Sequence, residues 1–103
     1  MASNRLELQR EFETILGTRN VYFRPPESIK LKYPCIIYDL DDKRLSKADN
    51  LNYLKRNRYS VQYIDYNPDS EMPDAILEKF KYSSFERSYC ADNLTHWYMR
   101  LYF

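Results

Sequence analysis

The sequence predicts an α+β fold: a single, mainly antiparallel sheet of about four to five strands flanked by two helices. Two stretches carry apolar residues at helical spacing, one near the start and one after residue 70. Between and after them lie strand-like runs rich in tyrosine and β-branched residues. The links are mostly short, which favours antiparallel neighbours. At 103 residues the chain is one domain, 1–103, with room for one modest core.

The first helix is expected over 4–16. Asn4 stands in capping position with Glu7 three residues on. Leu8, Phe12, Ile15 and Leu16 then recur on one face, with Leu6 beside them. Gly17, the only glycine, is the natural stop, because a C′ residue must reach the left-handed region. Val21-Tyr22-Phe23 is a short strand halted by Pro25-Pro26. A second strand is expected over 32–39. Its Cys35-Ile36-Ile37-Tyr38 run is apolar throughout, as in a strand buried on both faces.

Residues 39–57 are polar, charged and poorly periodic, so they form either a long loop or the tip of an extended hairpin. A third strand follows over 58–66, with Tyr59, Val61 and Tyr63 on one face and Ser60, Gln62 and Ile64 on the other. Asn67-Pro68-Asp69 is a turn. Ser70 or Asp69 then caps a helix over 71–80, which tolerates Pro73 in its first turn and turns Ile76, Leu77 and Phe80 inward. A fourth strand is expected over 85–91, with Phe85 and Tyr89 on one side. Asp92-Asn93 makes a tight turn. In the last strand, 94–103, Trp97, Met99, Leu101 and Phe103 face the core, and His96, Tyr98, Arg100 and Tyr102 face away.

Composition narrows function. The net charge is +1, without the basic excess of a domain that lives on phosphates. No run approaches the roughly 20 apolar residues of a membrane-spanning helix. The first residues lead directly into an amphipathic stretch, with no secretory core. Cys35 and Cys90 show no metal spacing and are expected as reduced cytosolic thiols inside the fold. Eleven tyrosines suit both half-buried strands and protein interfaces.

Catalytic patterns are scarce. One glycine at a helix end excludes phosphate and dinucleotide loops, and no nucleophile elbow exists. His96, the sole histidine, reads as a surface or interface residue. Counted from Asp39, the sixth and twelfth places of a calcium loop hold Arg44 and Asn50, not glycine and glutamate. Pro26-Glu27 followed by Asp41-Asp42-Lys43 loosely fits a metal-dependent nuclease, in which carboxylates hold Mg²⁺ and a lysine assists the attacking water. So short a pattern of common residues also arises by chance in a chain that is 30% charged. No catalytic, cofactor or metal set is therefore assigned. The residues singled out for contact are Lys43, Arg44, Lys47, Asn50, Tyr53, Lys55 and Arg56, which bracket the long polar connection. Basic and aromatic together suit nucleic acid. The interleaved Asp39, Asp41, Asp42 and Asp49 suit a specific protein contact instead.

The helix Leu6–Leu16, the strands Tyr33–Tyr38 and Tyr59–Ile64, the helix Pro73–Phe80 and the last strand His96–Phe103 together resemble the small neck proteins of long-tailed bacteriophages. They are most similar to the tail terminator, also called tail-completion or tail-to-head joining, proteins. The resemblance implies a homo-oligomeric ring, a hexamer, capping the tail tube. Its partners would be the major tail tube protein and the head–tail connector protein. The protein would be assembled in the host bacterial cytoplasm and end in the virion, with no membrane. That family offers no catalytic residues to carry over. A head-completion connector of the same neck is the nearest alternative. A small metal-dependent nuclease or a nucleic-acid-binding regulator is the alternative of another class. A near-neutral charge suits a channel through which DNA passes without specific binding.

Overall fold

The computed structural model describes residues 4–44 and 56–103. Chain order is α1 (Asn4–Leu16), β1 (Val21–Phe23), β2 (Cys35–Arg44), β3 (Arg56–Asp65), α2 (Met72–Lys79), β4 (Ser83–Ala91) and β5 (Leu94–Tyr102). The strands form one five-stranded sheet in the order β1-β2-β3-β5-β4. This is the α+β fold expected, mostly antiparallel, with both helices packed on one face.

Each element ends for a local reason. Gly17 closes α1 at φ +80°, and its N–H donates to the Glu13 carbonyl. The Asn4 cap concerns a side chain outside those described. α2 begins two residues after Ser70, whose Oγ accepts the Met72 N–H at 3.2 Å. Pro73 occupies its first turn, where an amide would lack a helical partner. Asp92 and Asn93 both take positive φ, the geometry of a two-residue turn that matches strand twist.

The core lies between the helices and the inner sheet face. Leu8 and Phe12 of α1 and Ile76 of α2, with Phe80 just beyond its end, meet Ile36, Tyr38, Tyr59, Val61, Tyr63, Met99 and Leu101. Phe12 sits edge-on to Tyr38 and to Phe80, with centroids 5.2 and 5.4 Å away. The alternation read in β3 and β5 holds: Tyr59, Val61 and Tyr63 oppose Leu101, Met99 and Trp97 on the helix side. A smaller cluster on the other face joins Cys35, Ile64 and Leu94 under Tyr22, Leu31, Tyr33 and Ile37.

The one parallel pair in this mainly antiparallel sheet is β1 with β2, because Pro25-Pro26 prevents a tight hairpin and residues 24–34 carry the chain back before β2 begins. Two expectations are corrected. In β4 the register shifts between Phe85 and Arg87. This bulge sends Phe85 to the helix side, opposite Met99, and Tyr89 to the other side, opposite His96. Phe85 and Tyr89 therefore do not share a face. Finally, Cys90 is exposed rather than inside the fold, since among the described residues nothing covers the strand that carries it.

Candidate protein interface

The two sheet edges are treated differently. β1 is three residues long and sits beside α1, where Gln9 Nε2 donates to the Val21 carbonyl at 3.0 Å. A short, covered edge is a protected edge. β4 is nine residues long, and all its residues from Ser84 to Cys90 are exposed, on both faces of the sheet. The helices stop short of it: Ser83 Oγ donates to the Leu77 and Phe80 carbonyls where α2 hands over to β4, and beyond that point the strand stands clear. Its sequence, Ser83-Ser84-Phe85-Glu86-Arg87-Ser88-Tyr89-Cys90-Ala91, contains no proline.

On the open face, β4 and β5 build an aromatic row. Tyr89 and His96, directly opposed across the strands, stack with centroids 4.6 Å apart and planes 3° from parallel. Tyr98 stacks on Tyr89 at 5.7 Å, their hydroxyls 3.3 Å apart, and the Arg87 guanidinium lies 4.9 Å from the Tyr98 ring centre. Gln62 of β3 reaches across to His96, with Nε2 and Nδ1 2.7 Å apart. With the amide donating, Nδ1 accepts, and the imidazole is held neutral with its proton on Nε2. Partial burial lowers the His96 pKa, and Asp92 at the turn pulls weakly the other way. The row is amphipathic and carries the Tyr89 and Tyr98 hydroxyls, a surface suited to contact with another polypeptide.

On the helix side of the same edge, Phe85 is 48% exposed, opposite the buried Met99 of β5. Tyr82, just before β4, is also exposed. At the far end of the sheet, Leu6 of α1 and Ile29 of the connection after β1 are exposed. Large apolar groups thus reach solvent at both ends of the sheet. The exposed Tyr66 stands apart, edge-on to Tyr33 at 5.7 Å.

The residues singled out by sequence are only partly placed. The backbones of Lys43, Arg44 and Arg56 run in β2 and β3, which pair antiparallel up to Arg44 opposite Arg56. Lys47, Asn50, Tyr53 and Lys55 lie outside the described residues, as do the side chains of Lys43, Arg44 and Arg56. The nuclease pattern puts Glu27 on an exposed loop, while the side chains of Asp41 and Lys43 lie outside those described. Among the described residues, no cluster of three or more histidine, cysteine or carboxylate side chains could hold a metal. The Cys35 thiol is fully buried, and burial pushes its pKa up to about 12, leaving it protonated and inert. Sequence reasoning missed β4 as a surface. The available signal was the charged pair Glu86-Arg87 in mid-strand, followed by Ser88, which leaves neither side of the strand consistently apolar.

Among the described residues, no helix is long and apolar enough to cross a membrane. No known protein family, curated protein or solved structure matches this chain.

Proposed function

We propose that this chain is a structural subunit of a bacteriophage neck, a tail terminator that forms a ring on the tail tube and joins it to the head connector. The observation that carries the reading is β4: a nine-residue edge strand, uncovered on both faces and without proline. Such an edge invites association and is usually shielded in a chain that works alone. One sheet flanked by two helices is the kind of fold that the resemblance implies. A closed ring needs two different patches on each subunit, and the dissimilar edges β1 and β4 supply them. In this reading the protein turns over no substrate and needs no cofactor. Its partners are further copies of itself, the tube protein below and the connector above, and its place is the virion.

The test is reconstitution. Purified protein added to polymerising tail tubes should stop their growth and appear by electron microscopy as a ring at one end. Tubes that elongate unchanged, with no density at their ends, would remove the proposal. DNA incubated with the protein and Mg²⁺ should stay intact. Cleavage abolished by Asp41→Ala would replace the structural reading with the nuclease.

A further inference from the structure

We infer that copies of this chain join head to tail, the β4 end of one seated on the β1 end of the next, through Phe85 and Tyr82 on one side and Leu6 and Ile29 on the other. The inference rests on the ring reading and names its contact. Three observations carry it.

The first is position. The strand order places β1 and β4 at opposite ends of the sheet. Apart from Tyr66, which follows β3, the exposed large apolar groups among the described residues fall toward those ends: Tyr82, Phe85 and Tyr89 at or beside β4, Leu6 in α1 and Ile29 in the connection that leaves β1. Leu6 belongs to the β1 end because α1 starts there, with the Arg5 guanidinium 4.6 Å from the Phe23 ring centre.

The second is direction. β1 runs parallel to β2, β2 antiparallel to β3, β3 to β5 and β5 to β4. β4 therefore runs antiparallel to β1. A copy set beside another in the same orientation brings β4 against β1 in the antiparallel sense, with the helices of both on one side. That arrangement repeats without reversing, as a ring requires.

The third is the unlike character of the ends. Gln9 already occupies the Val21 carbonyl, so the β1 end offers little backbone to a strand and mostly side chains to a neighbour. β4 offers a bare strand flanked by Phe85 and the Glu86-Arg87 pair. The opposing end carries exposed Glu27 and Lys30 on the connection after β1. The ends differ in backbone and share mixed charge, so Glu86 and Arg87 can meet the opposite signs of Lys30 and Glu27 across the junction.

The experiment is a mixing test with Phe85→Glu and Leu6→Glu, each spoiling one end. Both positions are about half exposed, 48% and 47%, so each variant should keep the wild-type circular dichroism. Tyr82→Glu and Ile29→Glu serve as the alternative pair should either misfold. Light scattering should show each variant alone associating at least about thirty-fold more weakly than wild type, as for loss of an interface anchor. Mixed in equal amounts, the two should form a complex of two chains and grow no further, since each retains the end the other lost. Loss of assembly in Phe85→Glu alone, with Leu6→Glu unaffected, would overturn the inference in favour of β4 pairing with β4. Wild-type assembly by both variants would also overturn it and leave the ring reading standing. A wild-type protein that never self-associates would overturn both.

Discussion

Phe12 and Phe85, each replaced by alanine, separate what holds the fold from what awaits a neighbour. Phe12 is fully buried and touches the rings of Tyr38 and Phe80, where α1, α2 and the sheet meet. Removing it deletes the ring's transfer energy and leaves a cavity, a loss of about 3–5 kcal/mol. A domain this size holds only about 5–15 kcal/mol in total. Phe85 already has half its surface in water, so its truncation should cost roughly 1 kcal/mol in the isolated chain. Urea unfolding at low protein concentration reads the difference. With a slope of about 2 kcal/mol per molar, the midpoint should fall by roughly 2 M for Phe12→Ala and by about 0.5 M for Phe85→Ala. Raising the protein concentration should widen the Phe85 effect alone, because association stabilises the wild type by mass action. Equal midpoint shifts at low concentration would refute the reasoning, since β4 would then be packed rather than bare.

Two further outcomes follow from the same geometry. A thiol reagent should label Cys90 at once and Cys35 only on unfolding, because one is exposed and the other fully buried; mass spectrometry of the peptides distinguishes them, and prompt labelling of Cys35 would contradict the small cluster around it. His96 has a pKa below its ordinary value of about 6.5. The unfolded chain therefore takes up a proton before the native one does. Stability should be full above pH of about 6.5, decline as pH falls through the interval between the two pKa values, and then level off. His96→Gln should remove that part of the pH dependence, and NMR titration of the ring should place its midpoint below 6.5.

Much of the fold is legible in the sequence because its signals are local. α1 has a clean apolar stripe and a glycine stop, and the alternation in β3 and β5 assigns faces correctly. The sense of the first strand pair is not legible, because parallel pairing depends on how an irregular connection crosses the sheet, which periodicity does not encode. The Phe85–Tyr89 error has one cause: a single extra residue at Glu86 inverts the alternation on either side of it. Cys90 was placed inside because a cysteine in a strand normally is, and only the reach of the helices shows this strand to be bare. The candidate surface was therefore the least legible part. Its aromatic row joins residues far apart in the chain, Gln62, Arg87, Tyr89, His96 and Tyr98, which only the strand order brings together.

Everything proposed for this chain depends on association with other copies of itself. Native mass spectrometry across a concentration series measures that directly. A closed species of fixed copy number, six by the family resemblance, should dominate as concentration rises, with no ladder beyond it. A single-chain mass at every concentration, up to those at which β4 would have to meet a neighbour, would contradict the account.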